Sequence, residues 1–500
     1  MKLVLASLIG LVVCGACSGH QPAPPPTAAT PPSAPPGPPP DAFREQAPTA
    51  DAPLVLVAPR VAEHRLENGL RVLLVERHEL PLVAVQLVIT QGAGDVPAAR
   101  PGLLSFLGDT LEQGTTRRTA LEVNDAYDAI GAEHEAWFDW DAGGVRVKVL
   151  SSQLEAALEI MSDVALHASF PEAEVARVRS RRVASLQADK SKPVVAARNA
   201  AAAAVFGRQH VYGHNLEGEV SDNQKIKRAD LVKAYASLFS PRQAALVVVG
   251  DVTADLVLPK LAAAFGSWQA PRTAAARQPP PSTMRAANAP RIVFVDKPGT
   301  QSQVQLARQG VPRSTADRDR LQVMNTIFGG MFSSRINLNL REKHAYTYGA
   351  RSELTLRHGA GPFVVAASIA ADKTVPAIRE VFTELEALRR EGPSPAELAL
   401  AKESMRLAMP ARFQTVSDVA TAVAELAIYD LPLDEYQTRP QRLDAVTAAD
   451  VQRVAADLLA SDAMTVIVVG DKTKLAQDLG ALQLGALEER DVFGNPVAGG

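Results

Sequence analysis

The chain has 500 residues, 47% of them hydrophobic, which is enough to build more than one sizeable core. Its formal net charge is −3, and no basic stripe with interleaved aromatic residues stands out, so we expect no nucleic-acid partner. Both cysteines, Cys14 and Cys17, lie near the N-terminus, which excludes a disulfide, a thiolate metal site and a cysteine nucleophile from the rest of the chain.

The N-terminus carries an export pattern. After one lysine, the apolar run LVLASLIGLVV is too short to span a bilayer but is typical of a signal-peptide core. The segment resembles a bacterial lipoprotein signal over residues 1–17, in which Cys17 becomes the lipidated N-terminus. Ala16 favours Cys17 over Cys14 as the acceptor, and a plain cleaved secretory signal is the alternative. We expect a place on the periplasmic side of a bacterial cell envelope, in the outer membrane, because Ser18 does not look like an inner-membrane retention signal.

Residues 18–53 contain the proline-rich stretch QPAPPPTAATPPSAPPGPPP. Proline removes backbone donors and favours extended polyproline II. We therefore predict a semi-stiff tether that would hold a soluble body away from the membrane that the lipid enters.

The body contains an internal repeat. The stretch RADLVKAYASLFSPRQAALVVVGD ends at Asp251, and AADVQRVAADLLASDAMTVIVVGD ends at Asp471 with the same order of helical pattern, polar turn and β-branched run. Each copy predicts a helix that leads into a buried strand. A pattern of two strands around a turn also opens each half, in HRLENGLRVLLVERHELPLVAVQLVIT and in RIVFVDKPGTQSQVQLARQG.

These repeats predict an α+β fold of two homologous units, each a mostly antiparallel sheet flanked by helices. The units are expected at 54–270 and 289–486, with a linker over 271–288 and a tail over 487–500. Amphipathic stretches such as SSQLEAALEIMSDVALHASF and KTVPAIREVFTELEALRREG predict scaffold helices that face the cores.

One stretch in each unit has a distinctive pattern. RPGLLSFLGDTLEQGT, residues 100–115, predicts a helix led by a glycine, and FSSRINLNLREKHAYTYGARSEL lies in the second unit. Together they resemble the pitrilysin or insulinase-like metallopeptidase family, whose relatives include the mitochondrial processing peptidases. That family carries H-x-x-E-H on the first helix of its N-terminal unit. The spacing of the motif positions matches here without an insertion or deletion. The resemblance covers almost all of the chain after the tether.

The resemblance places Ser105 and Asp109 at the two histidines of that motif and Gly108 at its glutamate. In the family the histidines bind zinc from one helix face, and the glutamate is the general base for the attacking water. A serine hydroxyl is a poor zinc ligand, and glycine has no side chain. The span corresponding to the family's third ligand, 177–187, contains no acidic residue. We therefore expect that this chain supplies no catalytic residue and binds no zinc.

Other polar side chains have two interpretations: they could form a rebuilt metal site, or they could be solvated residues at the surface. The candidate ligands are Asp109, Glu112, His134 and Glu135. His210 and His214 are also four residues apart, but they fall in a glycine-containing loop, for which we expect a structural role.

The second unit matches the family signature R-E-K-x-G-x-x-Y through Arg341 and Tyr348 in LREKHAYTYGA. In the family this pair reaches into the chamber, binds substrate backbone and helps to hold the oxyanion, which suits a guanidinium and a phenol. We expect both to bind substrate; the alternative is a local ion pair for Arg341 and strand packing for Tyr348. Gly329 and Gly330 open the segment and either line the chamber or cap a helix.

The resemblance thus implies the non-catalytic subunit of a periplasmic zinc metallopeptidase. Its partner would be a homologous subunit with an intact H-x-x-E-H motif, which would hold the zinc. The substrate would be an unfolded peptide, bound as an added strand at a sheet edge, and a lipid anchor would give contact with a membrane. The alternatives are an inactive peptide-binding or scaffold protein of the cell envelope, and a peptidase with rebuilt metal ligands.

Overall fold

The computed structural model describes residues 58–96, 100–269 and 292–497, which we divide into a first half (58–269) and a second half (292–497). The predicted lipid site at Cys17, the tether and the linker lie outside the described residues. None of the described helices is long and apolar enough to cross a bilayer.

Helices and strands alternate irregularly in both halves. The first half contains β1 (Ala62–Arg65), β2 (Arg71–Glu76), β3 (Leu82–Ile89), α1 (Leu103–Leu111), α2 (Ala120–Ala129), β4 (Glu133–Phe138), β5 (Gly143–Leu150), α3 (Leu154–His167), α4 (Glu172–Asp189), α5 (Pro193–Phe206), α6 (Val220–Lys225), α7 (Arg228–Leu238), β6 (Ala244–Gly250) and α8 (Ala254–Phe265). The second half contains β7 (Ile292–Asp296), β8 (Gln301–Gln309), α9 (Arg318–Asn325), α10 (Arg335–Asn337), β9 (Thr347–Leu354), β10 (Pro362–Ala370), α11 (Thr374–Glu391), α12 (Pro395–Ala408), α13 (Val416–Ile428), α14 (Glu435–Asp444), α15 (Ala448–Leu458), β11 (Thr465–Gly470), α16 (Lys472–Gly480) and β12 (Leu487–Glu489). Two π-helical turns, Thr326–Gly330 and Leu338–Lys343, flank α10.

Each half folds around one six-stranded sheet. The strand order is β1-β2-β6-β3-β5-β4 in the first sheet and β12-β7-β11-β8-β10-β9 in the second. The pairs β2–β6, β7–β11 and β7–β12 are parallel, and the other neighbours are antiparallel. The predicted α+β fold of two homologous, mostly antiparallel units is confirmed.

The helix-to-strand repeat predicted in both halves is also confirmed. Helix α7 leads into β6, and α15 leads into β11. Every residue of these two strands is buried, because each strand lies between two others and has both faces covered. Their continuous β-branched runs therefore encode a central position in the sheet.

One helix of each half packs on the sheet of the other half, which the sequence does not predict. Helix α13 of the second half packs on β3 and β6 of the first sheet, where Val419 and Val423 join a buried cluster with Val247 and Val249. Helix α5 of the first half packs in the same way on β8 and β11 of the second sheet. Most of its buried residues are alanines, whose small side chains permit a close approach to the strands.

The second sheet extends beyond the predicted boundary at residue 486. Strand β12, Leu487–Glu489, pairs in parallel with β7, so the predicted tail over 487–500 starts inside the sheet. Past this strand, the carbonyl of Val492 accepts a hydrogen bond from Asn199 of α5. A strand of three residues, LEE, has too few positions to show an alternation, which explains why the sequence pattern missed it.

Candidate functional site

Helix α1 forms as predicted and begins where the backbone must turn sharply. Its N-cap, Gly102, has φ of 82°, and a Cβ at that position would collide with the carbonyl of Glu217. Only glycine fits this combination of positive φ and close approach. The apolar stripe of the helix, including Phe106, Leu107 and Leu111, is buried in the core of the first half.

Ser105 is buried and fully engaged by protein groups. Its hydroxyl donates toward the carbonyl oxygen of Leu216 at 3.0 Å, and the carbonyl oxygen of Gly102 lies 3.2 Å from the same hydroxyl oxygen. The same oxygen accepts a hydrogen bond of 2.8 Å from Nη2 of Arg182 on α4. The side chain therefore serves to join α1, α4 and the loop before α6.

Arg182 is the residue of this site that the sequence analysis missed. Its side chain is 7% exposed, its Nη1 lies 3.7 Å from Oδ2 of Asp109, and its guanidinium lies 5.6 Å from the ring centroid of Phe106. Burial lowers the pKa of Arg182, and the nearby charge of Asp109 opposes that shift. A cation thus contacts both positions that the sequence comparison aligned with zinc-binding histidines.

Gly108 packs against the backbone of the edge strand β4. A Cβ built at this position would lie 2.8 Å from the amide nitrogen of Phe138 and 2.9 Å from the carbonyl carbon of Trp137. These neighbours are main-chain atoms that cannot rotate away. The helix therefore lies too close to the strand for any side chain at the position aligned with the family's glutamate.

The residues at this site do not fit a zinc ion. Asp109 is the one carboxylate among the three aligned positions, and a guanidinium neutralises it. The described part of the chain contains no group of three or more His, Cys, Asp or Glu residues arranged to hold a metal.

The four candidates for a rebuilt site form separate pairs. His134 Nδ1 lies 3.0 Å from Oε1 of Glu112, and its ring stacks on Tyr127 with the centroids 4.0 Å apart. The hydrogen bond to Glu112 raises the pKa of His134 against the opposing effect of burial. Glu135 pairs instead with Arg146 on the neighbouring strand.

The two histidines of the 210–214 loop do not form a pair. The Nδ1 of His210 accepts a hydrogen bond of 3.0 Å from the amide of Tyr212, which closes a local turn. His214 is half-buried, and burial lowers its pKa.

Arg341 and Tyr348 lie near the exposed edge of the second sheet. Arg341 sits in the second π-helical turn, and such turns occur frequently at functional sites. Its guanidinium stacks 4.5 Å from the ring centroid of Phe332, and its Nη1 lies 3.5 Å from Glu342. Tyr348, on edge strand β9, is 91% exposed. Arg341 thus makes the local ion pair named above as an alternative, whereas Tyr348 is not packed on the sheet.

Phe332 and Asn337 complete this surface and were not singled out from the sequence. Phe332 is 69% exposed although it is a large aromatic residue. The side chain of Asn337 donates to the carbonyl of Phe332 and accepts from the amide of Ala350 on β9. Asn337 therefore fixes the loop that carries Phe332 to the edge strand. We call Phe332, Arg341 and Tyr348 the edge cluster.

The two glycines before this cluster differ from each other. Gly329 is buried, and a Cβ there would collide with the amide of Ser352 on β9. Gly330 is exposed and ends the first π-helical turn. The close packing of a helical turn against β9 explains Gly329 without a substrate.

The fold and the two motif regions define a class of protein: a peptidase-type scaffold of two paired α+β units. Family models of this class match the chain twice, as "Insulinase (Peptidase family M16)" over residues 71–215 and as "Peptidase M16 inactive domain" over residues 225–405. The chain belongs to the insulinase family, peptidase family M16.

The similar proteins and structures cover most of this chain and almost all of their own length. A protein of Mycobacterium tuberculosis described as an uncharacterized zinc protease is 26% identical over 437 residues, covering 86% of this chain and 98% of that protein. A Bacillus subtilis protein with the same description is 20% identical over 394 residues, covering 79% of this chain and 94% of that one.

Among solved structures, a peptidase M16 inactive domain from Pseudomonas fluorescens has a TM-score of 0.75 at 22% identity and covers 82% of this chain and 98% of its own. A protease from Helicobacter pylori has a TM-score of 0.75 at 19% identity and covers 83% of this chain and 100% of its own. At these identities the likeness is one of fold.

Proposed function

We propose that this chain is the non-catalytic subunit of a zinc metallopeptidase and acts together with a homologous chain whose H-x-x-E-H motif is intact. The observation that carries the proposal is the buried guanidinium of Arg182, hydrogen-bonded to Ser105 and paired with Asp109. A fixed cation in this place repels a metal cation and occupies the groups that could have bound it.

The packing at Gly108 supports the same proposal. Water activation needs a general base within hydrogen-bond reach of the water. A side chain at this position would collide with the main chain of β4. Activation of water would therefore be the task of the partner chain.

The edge cluster would be this chain's contribution to the joint site. Arg341 donates several N–H bonds in a fixed fork, and Tyr348 adds a phenol, so both suit the carbonyl groups of a peptide or a developing oxyanion. Exposed aromatic and arginine side chains are also the residues on which binding energy concentrates. An unfolded peptide could join β9 as an added strand, with main-chain bonds supplying affinity at little demand on sequence.

The N-terminus would place this complex in the bacterial cell envelope. Lipid attached at Cys17 would anchor the chain on the periplasmic side of the outer membrane, with residues 18–53 as a tether. Mass spectrometry of the mature N-terminus should find a lipidated cysteine at position 17. Release of a soluble, unlipidated chain would contradict the anchor and favour the secretory signal.

The test of the joint site is co-purification with a homologous chain of the same organism that carries H-x-x-E-H. Chelator-sensitive hydrolysis of an unfolded peptide should require both chains. Arg341→Ala or Tyr348→Phe should lower kcat/KM at least tenfold, because each removes a donor to the substrate. Arg453→Ala is the matched control, since Arg453 is a half-exposed arginine that pairs with Asp317 on the same half, and it should leave the rate unchanged.

Three outcomes would overturn the proposal. Chelator-sensitive hydrolysis by this chain alone would mean that it holds a metal after all. Full activity of both edge-cluster variants would remove their proposed role. If both chains bind peptide without hydrolysing it, the peptide-binding or scaffold alternative takes the place of the subunit role.

A further inference from the structure

A cavity of about 470 Å³ lies between α5 and the face of the second sheet that is opposite the main core of the second half. Helix α5 packs on β8 and β11, and the cavity extends over the neighbouring strands β9 and β10. Its volume falls within the range of small-ligand pockets in proteins. Residues of both halves line it, among them Trp140, Arg198, Tyr212, Arg351, Arg357 and Val364.

Arg357 is the unusual group in this cavity. Its guanidinium lies 4.6 Å from the ring centroid of Trp140 and 4.6 Å from that of Tyr212. The two rings meet at 85° with their centroids 5.3 Å apart. Stacking on aromatic rings uses the faces of a guanidinium and leaves the N–H groups in its plane free to donate.

No acid of the described residues forms an ion pair with Arg357, and its side chain has no hydrogen-bond partner among them. The nearby carboxyl of Asp141 is engaged by His358 and by the hydroxyl of Tyr429. Burial lowers the pKa of Arg357, and the nearby charges of Asp141 and Asp139 oppose that shift without an ion pair. Arg357 is partly buried, and a cation in such a place is stabilised when an anion or strong acceptors pair with it.

The rest of the cavity adds positive charge. Arg198 of α5 and Arg351 of β9 also line it, and within the described part of the chain neither forms an ion pair. The acidic residues in the wall are Glu217 and Glu353. Three arginines against two glutamates leave an excess of one positive charge facing the cavity.

The equivalent place in the first half does not share this property. A cleft of about 400 Å³ lies between α13 and the first sheet. There Arg146 pairs with Glu135, and Nζ of Lys148 lies 2.6 Å from Glu133. The architecture by itself therefore does not produce unpaired arginines.

We propose that the α5 cavity binds the free carboxyl end of a short peptide. The fork of Arg357 would hold the carboxylate with two parallel hydrogen bonds, and Val364 with the alanines and valines of α5 would receive an apolar C-terminal side chain. Asn215 lines the same cavity, and its Oδ1 is buried and has no partner in the described part of the chain. This oxygen would accept from a peptide amide.

The backbone around Arg357 is held in place before any ligand binds. Its carbonyl accepts a hydrogen bond of 2.7 Å from the amide of Arg313. The next residue, His358, contacts Asp95 at 3.2 Å and donates from Nε2 to the carbonyl of Ile428 at 2.9 Å. Such anchoring lowers the entropy that binding must offset. The site needs no second chain, so it is independent of the subunit role.

The test is isothermal titration of the purified full-length chain with N-acetyl-leucyl-leucine, which ends in a carboxylate, and with its C-terminal amide. The acid should bind at least tenfold more tightly than the amide. Arg357→Met should remove that preference, and Arg351→Ala should weaken binding of the acid about two- to fivefold, because its charge is more exposed.

Arg146→Met is the control, since it removes an arginine of the first-half cleft and should leave the titration unchanged. Thermal unfolding of each variant checks that it is folded. If Arg357→Met does not fold, the test rests on Arg351→Ala and Arg198→Ala, which change exposed positions. Equal binding of acid and amide, or no saturable binding of either at millimolar concentration, would overturn the proposal while leaving the test of the joint site intact.

Discussion

The close contact between α1 and β4 makes a prediction whose sign is unusual for a helix. Replacing a mid-helix glycine by alanine normally stabilises a protein by about 0.5–1 kcal/mol, because glycine loses more backbone freedom on folding. At Gly108 the new methyl group would lie 2.8, 2.9 and 3.1 Å from main-chain atoms of Phe138 and Trp137. Displacing packed backbone costs about 1–3 kcal/mol. Gly108→Ala should therefore lower the free energy of unfolding by about 1–2 kcal/mol.

A second glycine provides the matched control. Gly480 is the last residue of α16, and a Cβ there would meet no atom within 4 Å. Gly480→Ala should raise the free energy of unfolding by about 0.4–1 kcal/mol, since it restricts only the unfolded chain. Equilibrium urea unfolding of the two variants, followed by circular dichroism, compares their midpoints at equal slope. If Gly108→Ala stabilises the protein as Gly480→Ala does, α1 has space for a side chain beside β4, and packing does not exclude a base at this position.

Two further predictions concern buried charges. Arg182→Met should lower the free energy of unfolding by about 1.5–3 kcal/mol, because it removes a charged hydrogen bond. The side chain of Asp109 is 42% exposed, so Asp109→Asn should lower it by less than about 1 kcal/mol. Equal losses in urea unfolding would contradict the contact between Arg182 and Ser105. Although burial lowers the pKa of His358, its hydrogen bond to Asp95 and the charges of Asp141 and Asp95 raise it overall. Its stabilising contribution is therefore complete below about pH 6.5, the unfolded value, and is lost as the pH rises through the higher folded pKa. Thermal unfolding between pH 6 and 9 should show a larger decline in the wild type than in His358→Gln, which keeps the raised pKa of His134. Parallel profiles would rule out the imidazolium.

The sequence determined those features that depend on short-range patterns. The periodicity and a turn-forming glycine predict helix α1 and its leading Gly102. The β-branched runs predict the two helix-to-strand repeats, which end in β6 and β11. The identities of Ser105 and Gly108 were enough to show that a histidine–glutamate motif is missing. Such features are local because backbone propensity and side-chain spacing act over a few residues.

The tertiary structure alone decided what takes the place of the missing groups. Arg182 hydrogen-bonds to a serine 77 positions away, Phe332 is presented beside Arg341, and α5 and α13 each cover the sheet of the opposite half. An arginine on an amphipathic helix has the same local pattern whether it faces water or a buried hydroxyl. Which of these it faces depends on the packing of whole helices against sheets, and that packing is set by contacts between distant parts of the chain.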